Sequence, residues 1–134
     1  MKLWVRIVIG AVLGGIFSGG LAYFVWYFLL VTFHTNTGLF DQLVIPIGTL
    51  VGAIYSFAGG GISGGIISWK GLKILPALLT GGFITIAIPA LIFGTARDVE
   101  FEIWLCVLSS FPIGALAGCL VSLINRKISK SADD

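Results

Sequence analysis

The amino-acid sequence predicts an all-α, polytopic membrane protein: four transmembrane helices in an antiparallel, glycine-rich bundle with both termini cytoplasmic. Three observations predict it. Of 134 residues, 57% are hydrophobic and only 10% charged, against roughly 25% charged in an average soluble domain, and the mean hydropathy is +1.08. Four apolar runs, at about 7–30, 43–68, 74–94 and 103–124, each exceed the ~20 residues that a helix needs to cross a bilayer. The charges outside those runs segregate. With the amino terminus taken as cytoplasmic, Lys2, Arg6, Lys70, Lys73, Arg126, Lys127 and Lys130 fall on one side and only Arg97 on the other, the bias expected of cytoplasmic loops and tails. No ten-residue alternation with turn signals supports a β-barrel. A single domain, 1–134, accounts for the chain, with a short polar cytoplasmic tail at 125–134 that is expected to be frayed and solvated.

The first span follows Lys2 and Arg6. Trp4 is expected at its inner boundary and Trp26 at its outer one, where amphipathic indoles sit. A competing reading takes this run as a cleaved signal peptide with Gly20-Leu21-Ala22 as the cleavage site. The apolar run continues past that site through Tyr23-Phe24-Val25-Trp26, which suits a spanning helix better. Its small residues, Gly10, Gly14 and Ser18, recur every fourth position. The outer loop that follows, 32–42, contains His34, the turn-favouring Asn36-Thr37-Gly38 and Asp41.

The second span carries the longest pattern of the chain. Gly48, Gly52, Ser56, Gly60, Gly64 and Ser68 form an unbroken ladder, ~30 Å long at ~1.5 Å per residue. Small residues at this spacing let helix backbones approach closely in lipid, where packing drives association. Each four-residue step advances ~40° around the helix, so the stripe turns through roughly 200°. The outer part, Gly48 to Ser56, is therefore expected to face one helix, and the inner part, Gly60 to Ser68, a different one or another subunit. Pro46 is expected in the first turn, where its missing amide is harmless, and Gly59-Gly60-Gly61 marks a weak point. Trp69 is expected at the inner boundary. Only Trp69-Lys70-Gly71-Leu72-Lys73 separates this span from the next, which predicts antiparallel neighbours.

The third span places Pro76 in its first turn and carries Ala77, Gly81 and Thr85 at the same spacing. Pro89 lies inside it and is expected to bend it, freeing the Thr85 carbonyl. In the outer loop 95–102, Asp98, Glu100 and Glu102 offset the dipole at the start of the fourth helix. Together with Asp41 they are also a candidate divalent-cation site. The fourth span has Trp104 at its outer boundary, then Ser109, Ser110 and Pro112, then Gly114, Gly118 and Ser122. Pro112 frees the Leu108 carbonyl. Cys106 and Cys119, thirteen residues apart on one helix and so ~20 Å apart, cannot form a disulfide with each other. Aligned without gaps, 9–18 matches 47–56 and 113–122, a pattern that either duplication or glycine-rich composition explains.

Function is far less legible. No Asp, Glu, Lys, Arg or His stands at mid-depth in any span, whereas proton relays, coupled antiporters and voltage sensors depend on such groups. Length and helix count are similar to those of the small multidrug transporters, but the first span lacks their acidic residue, and neither this family nor the small fluoride channels is assigned. One imidazole, His34, makes a weak metal site. No catalytic residue, metal or cofactor is expected, and no nucleic-acid partner.

The neutral polar residues Tyr55, Ser56, Thr85, Ser109 and Ser110, with Pro112, are a candidate polar path. Lys70, Lys73, Arg126, Lys127 and Lys130 are candidate contacts to lipid head groups. The expected function is a non-enzymatic structural, assembly or accessory subunit of a membrane complex or homo-oligomer, in a bacterial inner (plasma) membrane. Its partners are the bilayer and other membrane subunits or further copies of itself. The alternative is a channel or facilitator for a small neutral solute, ion or lipid.

Overall fold

The computed structural model describes the backbone at residues 2–33, 39–94 and 101–133, and side chains at 2–32, 45–94, 104–128 and Lys130. The described elements are four helices: α1 (Leu3–Phe33), α2 (Leu39–Lys70), α3 (Ile74–Gly94) and α4 (Phe101–Asp133). All four are long and apolar enough to span a membrane. The shortest, α3, has 21 residues and so reaches ~32 Å, just over the ~30 Å hydrocarbon core.

Three differences from the sequence reading bear on the packing. α2 begins at Leu39, so Pro46 lies in its interior rather than its first turn. The segment after 124, expected as a frayed tail, continues α4 to Asp133. The buried Asn125 anchors that extension, donating from Nδ2 to Ser68 Oγ of α2 at 2.9 Å. α2 also runs through Gly59-Gly60-Gly61 without a break, because these glycines are held from two sides. A methyl on Gly59 would press on the Thr85 backbone of α3, and one on Gly60 would overlap Ser18 and the Gly14 carbonyl of α1.

The turn between α2 and α3 follows from one glycine. Gly71 has φ 61°, the left-handed conformation that ends a helix without a Cβ penalty. The Leu72 amide then donates back to the Ile67 carbonyl at 3.2 Å, satisfying one of the orphan acceptors of the α2 C-terminus. Leu72 packs against Ile67, Ala77 and Val121, the apolar contact that accompanies this type of cap.

α1 packs on α2 and α4, α3 packs on α2 and α4, and α2 also touches α4; among the described residues α1 and α3 do not meet. Two seams dominate. In the first, Gly10 lies against Gly64 and Ser68, Gly14 against Gly60, and Ser18 against Gly60 and Ser56. In the second, Ala77 lies against Gly118, Gly81 against Gly114 and Gly118, and Thr85 against Gly114. In both, residue numbers rise along one helix as they fall along the other. A methyl on Gly14 would overlap the Gly60 carbonyl oxygen, and a methyl on Gly81 that of Gly114, so the backbones themselves are in contact.

The ladder of α2 does not divide between two neighbours as expected. α1 follows all of it: Leu30 lies at Gly48, Trp26 at Gly52, Ser18 at Ser56 and Gly60, and Gly10 at Gly64 and Ser68. A four-residue repeat drifts around a 3.6-residue helix, but two helices that wind around each other in the right-handed sense can track it together. Towards the Phe33 end of α1 the contact passes from glycine backbone to bulky side chains. Trp26 is the consequence: expected at the membrane boundary, it is only 2% exposed, with its ring in the notch left by Gly52. Trp4 and Trp69 are exposed at the opposite end of the bundle.

The core accordingly has three levels. Ala22, Trp26, Leu30, Cys106 and Ile113 form an apolar cluster at one end, and Ile67, Ala77 and Val121 a smaller one at the other. Between them lie the centres of the glycine seams and the buried hydroxyls of Ser18, Ser56, Ser63 and Thr85, with Ser110 buried beside Cys106 and Ile113 of the first cluster.

Candidate functional site

The candidate polar path can be followed residue by residue. Ser18, although not part of it, shows what the glycine seams do with hydroxyls: its Oγ shares its one proton between the Gly14 and Ser56 carbonyls, 2.6 Å from each. Ser109 and Ser110 both donate to the Cys106 carbonyl one turn earlier, at 2.6 and 3.4 Å. Pro112 is exposed on the outer surface of α4. Ser56 Oγ and Thr85 Oγ1 are buried and have no hydrogen-bond partner. They belong to different seams, Ser56 beside Ser18 and Thr85 wedged between Gly59 and Gly114. Tyr55 turns away from both and packs edge-on against Phe93, with ring centres 6.4 Å apart. Ser109 and Ser110 thus satisfy their own helix, as hydroxyls in apolar surroundings commonly do.

All four helices contribute to an apolar cleft of about 330 Å³, whose lining includes Trp26, Leu30, Gly48, Tyr55, Phe93 and Cys106. The buried Trp26 Nε1 has no partner. On the outer surface of the α1–α2 hairpin is a second, shallower groove of about 400 Å³, floored by Gly19, Gly20 and Ala53 and walled by Ile16, Ile54 and Phe57.

At the basic end the five expected head-group contacts separate into three environments. Lys70 lies over the ring of its neighbour Trp69, 4.6 Å from the centroid. Lys127 and Lys130 join Arg126 along a groove of about 480 Å³ floored by Leu120, Leu123 and Ile124. Lys73 and Arg126 meet Arg6 in a pocket of about 150 Å³ that also includes Gly71, Ser122 and Asn125. The pocket is held from behind by Ser122 Oγ, which donates to the Leu72 carbonyl at 2.9 Å, and by the Asn125–Ser68 bond. Arg6 Nε is buried and has no partner.

Sequence reasoning missed Arg6 and Asn125 as pocket residues, although a signal existed. Arg6 stands four residues before Gly10 and so extends the inward stripe of α1, while Asn125 follows Gly118 by seven and extends that of α4. Each of the small residues from Gly10 to Gly118 singled out for helix packing lies against another helix of the same chain, and Ser122 bonds to Leu72 of the α2–α3 connection. His34, Asp98, Glu100 and Arg97 lie outside the described residues, as do the side chains of Asp41 and Glu102, so the candidate cation site does too. Among the described residues no group of three or more His, Cys, Asp or Glu comes together. No protein-family model matches this chain, and no curated protein or solved structure matches it either.

Proposed function

We propose that this chain is a non-enzymatic structural, assembly or accessory subunit that associates within the membrane through the outer surface of the α1–α2 hairpin. Its helices alternate in direction, with the basic end, and so both termini, on the cytoplasmic side of a bacterial inner membrane. The observation that carries the reading is Gly20. The seam glycines are closed by a neighbouring helix, whereas a methyl on Gly20 would meet nothing within 4 Å. Glycine in a helix interior costs about 1 kcal/mol relative to alanine, and no contact inside the chain offsets that here. A neighbouring helix seated on Gly19, Gly20 and Ala53 would gain the close approach that glycine permits.

The test is a Gly20→Trp variant purified from native membranes in mild detergent. The wild type is expected to carry a partner subunit or a second copy, and the variant to lose it while remaining a folded monomer. A strictly monomeric wild type without a partner would end this reading.

A second reading, a channel or facilitator for a small neutral solute, ion or lipid, draws support from the unpaired Ser56 and Thr85 hydroxyls below the apolar cleft. Proteoliposome flux should then fall in a Ser56→Ala, Thr85→Val double variant. Equal flux in variant and wild type would remove the basis of this reading.

A further inference from the structure

We propose that the pocket between Arg6, Lys73 and Arg126 binds a phosphoryl group, the tetrahedral anion carried by anionic lipid head groups and by free phosphate. The proposal is independent of the subunit reading, since Arg6 lies ~20 Å along α1 from Gly20 and the two sites share no lining residue.

Three cations from distant parts of the sequence, on α1, on the α2–α3 connection and on α4, line one space, and among the described residues no carboxylate lines it. Like charges brought together without an acid repel one another, and a bound anion relieves that repulsion. Arg6 points the same way. Its side chain is half-buried and its Nε is closed off from solvent without any acceptor. A buried donor calls for a partner, and a guanidinium fork matches the paired oxygens of a phosphoryl group.

Size narrows the ligand. At about 150 Å³ the space is well under the ~300 Å³ from which drug-sized sites begin, so it suits one small anionic group. Asn125 and Ser122 add short polar side chains fixed by their bonds to Ser68 and to the Leu72 carbonyl. Arg126 is shared with the neighbouring groove over Leu120, Leu123 and Ile124. An acyl chain lying on those residues would bring its head group to Arg126, which favours a lipid as the source.

The experiment uses the full chain in non-ionic detergent. Binding of phosphatidylglycerol and of phosphatidylcholine, whose choline opposes its own phosphate, is compared by native mass spectrometry. Inorganic phosphate is titrated against chloride at equal ionic strength, with the thermal midpoint as readout. The wild type should hold phosphatidylglycerol in preference to phosphatidylcholine. Arg6→Gln should weaken that binding about tenfold or more, the loss expected for a charge-assisted hydrogen bond, while Lys2→Gln, exposed and not among the pocket's lining residues, changes it less than about twofold.

Lys73→Gln, on the exposed connection, provides the same test where Arg6→Gln does not fold. Phosphatidylglycerol binding that phosphate cannot displace identifies the lipid as the source. Displacement by phosphate, with a midpoint shift that needs Arg6 or Lys73, identifies the free anion. Wild-type binding that both variants retain in full, or no preference in the wild type for either anion, overturns the proposal.

Discussion

The α1–α2 and α3–α4 hairpins bring small residues together in the same register, yet they treat the hydroxyl at the centre of the seam differently. Ser18 faces Gly60 as Thr85 faces Gly114, each filling the notch where the glycine has no side chain. Ser18 also reaches the Ser56 carbonyl across the seam, which ties α1 to α2 by a hydrogen bond. Thr85 makes no such bond. Instead it touches Gly59 of α2 as well as Gly114 of α4, so it sits where three helices meet. The first hairpin is thus joined within itself. The second uses the same position to dock onto the first. In lipid, where apolar surface gains little from association, close packing and a few hydrogen bonds are the forces that remain.

That contrast can be broken most forcefully at the notches. Gly60→Leu and Gly114→Leu each drive a side chain into a facing carbonyl or hydroxyl, and each is expected to cost about 3 kcal/mol or more in unfolding by sodium dodecyl sulfate from mixed micelles. An unchanged stability in either variant would mean that its seam is not a close contact. A smaller effect separates the two hydroxyls. Ser18→Ala should cost about 0.6 and at most about 1.7 kcal/mol. Thr85→Val keeps the shape and removes only an unpaired oxygen, so it should be neutral or slightly stabilising. Equal losses from the two would abolish the distinction. Smallest of all is Gly20→Ala, which adds a methyl in open space; no loss of monomer stability is expected, and a gain of up to about 1 kcal/mol follows from helix propensity.

Much of this architecture is readable before any coordinates. Gly10, Gly14 and Ser18, the long ladder from Gly48 to Ser68, and Gly114, Gly118 and Ser122 stand out because close approach in lipid needs side chains this small at this spacing. At the basic end, Lys73 and Arg126 can be picked out by charge alone. Arg6 is harder to read, because a cation near the start of a span serves equally well to orient the chain. Only its place on the stripe of Gly10 and Gly14 hints that it turns inward. Asn125 is hidden by the polar residues that follow it, which give 125–134 the composition of a tail although the helix continues to Asp133.

By itself the sequence determined four helices of membrane-crossing length and the small faces on which they pack, because bilayer thickness and backbone hydrogen bonding leave little other choice. Which small face meets which was decided only in three dimensions. Without gaps, 9–18 aligns with 47–56 and 113–122, whereas the closest backbone contacts of Gly10 and Gly14 are with Gly64 and Gly60. Several registers of a four-residue repeat are nearly equivalent along one helix. They are separated by what fills each notch: Trp26 at Gly52, Ser18 at Gly60, Ser68 at Gly10. The same choice of register carries Arg6 under the α2–α3 turn and beside Arg126, where three charges far apart in the chain come to line one pocket.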